Sequence, residues 1–157
     1  SAAFAAASAF GISNGERMDM CNVAVYHAGQ GAGADAVRDS LYKAVHSVPH
    51  DFKHNEGWVL TALQNAFHHL LYTRSLQEAV IATVASGGDT DTNAAICGAL
   101  MGALHGREEI PLSWRRQILS CRTVQGIGVK HPRPMTYWPD DAMDLAEALM
   151  VISPVRN

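Results

Sequence analysis

The sequence predicts an all-α protein, because apolar residues recur at spacings of three and four along nearly the whole chain. No stretch shows the alternation of β-branched and aromatic residues between turns that is typical of a β-strand. Hydrophobic residues make up 48% of the 157 residues and charged residues 17%, which is the balance of a globular chain with a core. We therefore expect one all-helical domain, a compact bundle of several helices over residues 1–157.

Glycine, proline and capping residues divide the first half of the chain into helices. They place helices up to about residue 10 and over residues 18–28, 34–48 and 57–72, with a turn at 12–15. The apolar stripe of the fourth helix is broad enough to predict burial on two sides. The chain opens without Met on a helix-like run of small residues, which predicts that the bundle is incomplete at its N-terminus.

The second half begins with a serine and a glutamate three residues apart, Ser75 and Glu78, which is typical of a capping box at a helix start. The next helix, 93–104, is rich in small residues, which let neighbouring helices approach closely and favour a central position. The predicted helices of this half, in order, are 75–85, 93–104, 111–119 and 140–151, and the glycine- and proline-rich residues 122–139 indicate an irregular connection.

Charge and hydropathy exclude several classes of protein. A net charge of -3 and a pI near 6.2 give no basic patch of the kind that binds nucleic-acid phosphates. No run approaches the roughly 20 apolar residues of a membrane helix, and residues 1–10 lack the layout of a signal peptide. The 3 cysteines are widely spaced and offer neither a disulfide framework nor a Cys-x-x-Cys metal site. We expect a soluble, cytoplasmic protein that binds neither nucleic acid nor membrane.

Two carboxylates and a hydroxyl stand close together in the sequence at Asp89, Asp91 and Thr92. Such hard oxygen ligands are the ones that Mg²⁺, Mn²⁺ and Ca²⁺ prefer. Gly87 and Gly88 precede them and would let the backbone turn tightly and a ligand come close. The segment predicts a divalent-cation site at the start of a helix, where negative charge is also stabilised by the helix dipole.

A simpler interpretation of the same residues is a helix N-cap. In that case Asp89 or Asp91 would accept a backbone N–H and do nothing else. The segment does not fit an EF-hand loop, because it lacks the glycine at the sixth position and the glutamate at the twelfth. The residues alone leave metal binding and plain capping both open.

Several short motifs make residues 55–120 resemble the ADP-ribosylglycohydrolase family, which also includes the dinitrogenase reductase activating enzymes. The most specific is the loop Gly87-Gly88-Asp89-Thr90-Asp91-Thr92, which runs into a helix of small residues. Further matching segments are Gly57-Trp58-Val59, Glu78-Ala79-Val80, Gly102-Ala103-Leu104-His105-Gly106, Ile110-Pro111 and Trp114. Residues 133–140 are similar to the tail of bacterial members.

The resemblance implies an all-helical fold and a hydrolase that cleaves the bond between ADP-ribose and an acceptor, either a protein side chain or a small molecule. It implies a centre of two Mg²⁺ ions, with Mn²⁺ as an alternative, at which Asp89, Asp91 and Thr92 are metal ligands and both aspartates are catalytic. Gly87, Gly88 and Trp58 would contact the substrate, with Trp58 stacking on the adenine base. An aromatic residue in an apolar stripe is also a common core residue, so burial of Trp58 is the alternative.

The sequence departs from the family pattern in the remaining ligands. An N-terminal acidic residue and a Thr-Asp-Asp triplet have no counterpart in these 157 residues. Mg²⁺ takes about six oxygens, so one loop cannot complete two sites. We therefore expect the isolated chain to be inactive and a missing N-terminal half or a partner chain to complete the centre. A catalytically inactive, crystallin-like structural role remains the alternative.

Overall fold

The computed structural model describes residues 1–29, 33–54, 56–126 and 128–152, apart from the side chain of Ile152. These residues form eight α-helices and three short 3-10 helices, and no strand occurs among them. The prediction of an all-α fold is confirmed. None of the helices in the described ranges is long and apolar enough to cross a lipid bilayer.

The chain divides into two compact units, Ser1–Ile110 and Pro111 onward. The first contains α1 (Ala2–Asn14), α2 (Arg17–Tyr26), α3 (Ala34–His46), α4 (Val59–Tyr72), α5 (Leu76–Ala85), α6 (Thr90–His105) and a 3-10 turn at Arg107–Glu109. The second contains α7 (Leu112–Leu119), 3-10 turns at Met135–Tyr137 and Pro139–Asp141, and α8 (Ala142–Ile152). That residues 1–157 form a single domain stays a prediction.

Helix α6 is the centre of the first unit and packs against α1, α4 and α5. Small residues along it allow this: a Cβ on Gly98 would lie 3.5 Å from a methyl group of Val80 on α5. The core around α6 is closed by large side chains with almost no exposed surface, namely Met20, Phe67, Leu70, Leu100 and Met101. This packing fixes the N-terminal end of α6 and the loop before it.

The first helix continues past the predicted stop at Gly11 and ends at Gly15, whose φ of 67° is the left-handed conformation of a helix cap. The predicted turn at residues 12–15 is therefore wrong for its first three residues. Gly11 serves packing rather than termination, since a Cβ there would lie 2.6 Å from the terminal methyl group of Met20. The sequence alone does not distinguish a glycine that ends a helix from one that lies inside a helix because a side chain of a neighbouring helix packs where its Cβ would be.

The predicted cap of α5 is confirmed: the Ser75 hydroxyl accepts a hydrogen bond from the backbone N–H of Glu78 at 3.2 Å. The return bond differs from a standard capping box, because the Glu78 carboxylate accepts from the N–H of Arg74 rather than of Ser75. Helix α6 begins at Thr90, three residues earlier than predicted. The earlier start places Asp91 and Thr92 in the first turn of the helix.

The C-terminal end of α4 is held by Arg17 from the first turn of α2. One guanidinium nitrogen donates to the carbonyl oxygens of Leu70 and Thr73 at 2.8 and 2.6 Å. These carbonyls have no partner within their own helix, so the arginine satisfies them and ties α2 to α4. Its second nitrogen lies 3.4 Å from Nε2 of His105.

Two histidines near this junction have a lowered pKa. Burial is the main cause at His69, and the charge of His68 acts in the same direction. Burial also dominates at His105, followed by the charge of Arg17. The Nδ1 atom of His69 lies 2.9 Å from the hydroxyl of Thr73, while Nε2 is buried without a hydrogen-bond partner in the described part of the chain. The lowered pKa of each histidine favours the neutral form of its ring.

Acidification is expected to destabilise the fold through His69. Because its pKa in the folded chain lies below the ordinary 6.5, the unfolded chain binds the proton first, and the free energy of unfolding falls as the pH drops below about 6.5. The His69→Gln variant should lose less stability between about pH 7.5 and about pH 5.5 in urea unfolding. The exposed His54→Gln should follow the wild type. Equal losses in the His69 variant and the wild type would contradict this assignment.

Candidate functional site

The loop between α5 and α6 places all of the predicted metal ligands at one helix end. Gly87 and Gly88 have φ values of 78° and 69°, which residues with a side chain rarely adopt. Asp89 then occupies the N-cap position of α6, and its carbonyl oxygen accepts the N–H of Asn93 at 3.0 Å. Asp91 and Thr92 follow in the first helical turn. The N-terminal end of α6 thus carries the three predicted oxygen donors.

The loop at Gly87 and Gly88 packs against a turn at residues 51–54. A Cβ on Gly88 would lie only 1.9 Å from the carbonyl oxygen of Phe52, so the backbone of this turn fills the space that a side chain would need. A Cβ on Gly87 would lie 3.4 Å from Cε of Lys53. The close approach predicted at Gly88 is thus made by the chain itself, and a contact of Gly87 or Gly88 with substrate stays a prediction.

The two aspartates interact with each other. Asp91 has a lowered pKa, first because of a side-chain hydrogen bond with Asp89 and then because backbone N–H groups, above all that of Thr92, donate to it. The Thr92 N–H lies 3.0 Å from Oδ1 of Asp91. Asp91 and Thr92 are exposed and Asp89 is half-buried. The fold therefore brings Asp89 and Asp91 together, while no contact of the Thr92 hydroxyl links it to them.

Plain capping does not account for Asp89. It stands at the N-cap position, yet its carboxylate makes no capping hydrogen bond to α6. Within the described ranges, no lysine, arginine or histidine forms an ion pair with Asp89 or Asp91. Two adjacent carboxylates without a positively charged partner create a strongly negative point that favours a cation.

The donor set fits part of a magnesium site. It offers two carboxylates that interact with each other and one hydroxyl in the same helical turn, which are ligands of the type that Mg²⁺ accepts. In the part of the chain that the structure describes, no group of three or more His, Cys, Asp or Glu side chains is arranged to hold a metal ion. The residues of this loop would therefore hold such an ion together with further ligands from water or from another polypeptide segment.

A polar cleft of about 650 Å³ opens beside the aspartates. It is lined by Lys53, His54, Glu56, Gly57 and Trp58. A Cβ on Gly57 would lie 3.7 Å from Oδ2 of Asp89, so the cleft adjoins the carboxylate pair. Trp58 is 52% exposed at the N-cap position of α4, which rules out the alternative that it is a core residue.

No local sequence pattern marks Lys53, His54 and Glu56 as cleft residues. The backbone at Lys53 and His54 is held by Asp51, whose carboxylate accepts their N–H groups at 2.7 and 2.9 Å. These two hydrogen bonds, that of His54 first, lower the pKa of Asp51. An aspartate in a polar segment is a sequence signal for a turn, because its side chain commonly accepts a hydrogen bond from the backbone two residues later. This signal predicts the turn at Asp51, but it does not predict that the turn packs against Gly88.

Residues 1–151 match the family model described as ADP-ribosylglycohydrolase. The chain belongs to the ADP-ribosylglycohydrolase family. The resemblance drawn from the Gly-Gly-Asp-Thr-Asp-Thr loop and its neighbouring motifs is therefore confirmed. The family match includes both the loop and the cleft.

Curated relatives in this family match parts of the chain. It is 31% identical over 96 residues to the ADP-ribosyl-dinitrogen reductase glycohydrolase of Rhodospirillum rubrum, covering 57% of this chain and 32% of the relative. Over 42 residues it is 48% identical to ADP-ribosylhydrolase ARH3 of Mus musculus, covering 27% of this chain and 11% of the relative. ADP-ribosylhydrolase ARH3 of Xenopus tropicalis is 46% identical over 56 residues, which cover 36% of this chain and 16% of the relative.

The chain spans about a third or less of the length of these curated relatives. No solved structure matches it significantly.

Proposed function

We propose that this chain forms one side of the active site of a hydrolase that cleaves the glycosidic bond between ADP-ribose and an acceptor. The observation that carries the proposal is the Asp89–Asp91 pair, which lacks a positively charged partner in the described chain and adjoins the cleft that holds Trp58. Membership in the family and a relative named for removing ADP-ribose from dinitrogen reductase support the choice of substrate. The acceptor is a protein side chain or a small molecule, and the substrate is that acceptor carrying ADP-ribose.

In the reaction, the bond between the anomeric carbon of the ribose and the acceptor breaks, and water supplies a hydroxyl to the sugar and a proton to the acceptor. Positive charge develops on the anomeric carbon in the transition state. Asp89 and Asp91 would stabilise this charge and hold Mg²⁺, with Mn²⁺ as an alternative and two ions in the complete centre. Bound Mg²⁺ supplies the orientation of the ribose hydroxyls and the activation of water.

The electrostatics of Asp91 suit a ligand rather than a proton donor. Its pKa lies below the ordinary value because Asp89 and the N–H of Thr92 stabilise its charged form. A general acid at neutral pH needs the opposite shift, towards a raised pKa. Asp91 therefore stays ionised at neutral pH and available to a cation, and Thr92 would add its hydroxyl to the same site.

Completing the centre requires further ligands. Mg²⁺ takes about six oxygens, and the described residues contribute two carboxylates and one hydroxyl. An N-terminal half or a partner chain would supply the others, and the 157-residue chain alone would be inactive.

Release of free ADP-ribose from ADP-ribosylated protein tests the proposal. The chain, joined to the N-terminal half that carries the remaining ligands, is expected to release ADP-ribose in Mg²⁺, to lose this activity in EDTA and to regain it with Mg²⁺ or Mn²⁺. Undiminished release in EDTA would contradict the metal-dependent mechanism. A completed protein that neither binds these ions nor releases ADP-ribose would instead favour the structural, crystallin-like role.

A further inference from the structure

The cleft beside the aspartates contains a cationic side chain that forms no ion pair with a carboxylate of the described residues, although its charge contributes, after the backbone hydrogen bonds, to the lowered pKa of Asp51. Lys53 lines the cleft, and its Cε atom lies 3.4 Å from the position of a Cβ on Gly87. Among the described residues its ammonium group makes no hydrogen bond or ion pair. The stem of Lys53 therefore runs along the metal-binding loop while its charge stays available.

The position of Lys53 is fixed from both ends of its turn. The Asp51 carboxylate holds the N–H of Lys53 at 2.7 Å, and the preceding carbonyl of Phe52 is pressed against Gly88. Since Gly88 tolerates no side chain there, the turn and the metal-binding loop form a single packed unit. The stem of Lys53 is therefore held against Gly87, two residues before Asp89 in the sequence, and it forms no ion pair with either aspartate.

The cleft, which also contains the carboxylate of Glu56, and the aspartate pair that adjoins it at Gly57 present three kinds of chemistry side by side. Trp58 offers a half-exposed aromatic surface, Lys53 a positive charge, and the Asp89–Asp91 pair a cation-binding end. The volume of about 650 Å³ lies within the range of small-molecule sites. A ligand with a planar base, a phosphate bridge and a sugar with free hydroxyls matches all three.

A diphosphate carries negative charge, and a cationic side chain beside it offsets that charge in addition to any Mg²⁺ held by the two carboxylates. We propose that Lys53 is that cation, a substrate-positioning residue that pairs with the diphosphate of ADP-ribose while Trp58 contacts the base. The inference rests on the proposed function, because it takes ADP-ribose as the substrate. It assigns to Lys53 a role in binding and orientation, outside the bond-breaking step.

Three variants separate charge from packing. Lys53→Met keeps the apolar stem over Gly87 and removes the charge, Lys53→Arg keeps a charge, and Lys130→Met removes a lysine from the second unit. Calorimetric titration of the chain joined to its N-terminal half, in Mg²⁺, with ADP-ribose and with adenosine compares a ligand that has the diphosphate with one that lacks it.

We expect Lys53→Met to raise the Kd for ADP-ribose by about 5- to 20-fold, the range of a partly exposed, charge-assisted hydrogen bond. Lys53→Arg should stay within about threefold of the wild type, and Lys130→Met should not change the Kd. Adenosine should bind all four proteins alike. Raising the salt from about 50 to about 300 mM should weaken ADP-ribose binding by the wild type and much less by Lys53→Met.

The outcomes distinguish this inference from the function on which it rests. If the completed wild-type protein binds no ADP-ribose, the proposed function is contradicted, and so is the role of Lys53 that rests on it. If the wild type binds ADP-ribose and Lys53→Met binds it equally well, only the role of Lys53 is overturned. An equal loss for adenosine and ADP-ribose would also overturn it, because the side chain would then act through packing rather than through the diphosphate.

Discussion

Replacing Asp89 or Asp91 with asparagine is expected to slow ADP-ribose release by the completed protein about 100- to 1,000-fold. Asparagine keeps the shape of aspartate but removes the charge that holds a cation and stabilises the developing positive charge on the sugar. The Asp89 carboxylate makes no capping bond to α6. The side-chain oxygen of an asparagine at position 91 can still accept the Thr92 N–H that Oδ1 of Asp91 accepts. The effect should therefore appear in turnover rather than in stability.

Steady-state release of ADP-ribose, measured alongside urea unfolding, checks this prediction. A matched control is Asp19→Asn, since Asp19 is an exposed acidic residue in the first turn of α2, as Asp91 is in α6. The control should release ADP-ribose at the wild-type rate. Wild-type turnover in both the Asp89 and Asp91 variants would show that the carboxylate pair is not part of the active site.

A second large effect is expected at Gly88. The Gly88→Ala variant should lose about 3 kcal/mol or more of the free energy of unfolding, from two sources that add. A side chain at φ 69° costs about 1 to 2 kcal/mol, and a Cβ 1.9 Å from the Phe52 carbonyl oxygen forces the turn or the loop to move. Urea unfolding of variant and wild type measures the sum.

The control for Gly88 is another glycine with positive φ. Gly33 has a φ of 87° at the start of α3, and a Cβ there would meet none of the described residues within 4 Å. Gly33→Ala should therefore cost only the backbone term, about 1 kcal/mol. If the two variants lost the same stability, the contact between Phe52 and Gly88 would not constrain the loop. A displaced turn should also weaken ADP-ribose binding, because Lys53 lies on it.

Local sequence patterns predict much of the fold. The cap at Ser75, the end of the helix predicted over residues 93–104 and the apolar stripe of α4 each depend on residues a few positions apart, and the structure confirms them, with α6 ending at His105. The prediction that α1 stops at Gly11 is wrong for a different reason, because the role of this glycine depends on the packing of Met20 from α2 against it. A single sequence does not show which of two uses of glycine applies.

The candidate site shows the same limit. The Asp89–Asp91 pair was recognised because its members are two residues apart and follow two glycines. Lys53 has no such local signal, since it lies 36 residues before Asp89 in the numbering and meets the loop through the contact of Phe52 with Gly88 and of its own stem with Gly87. Trp58 could be read as core or as surface, and burial in the folded chain was needed to decide it.

The binding of Mn²⁺ by the 157-residue chain, followed by electron paramagnetic resonance as the free-ion signal disappears, tests the assignment of the metal loop most directly. The wild type should bind Mn²⁺ in competition with Mg²⁺, and the double variant Asp89→Asn/Asp91→Asn should bind it at least about tenfold more weakly, which is a loss of about 1.4 kcal/mol. Identical titration curves for the two proteins would show that this pair of carboxylates does not hold the cation.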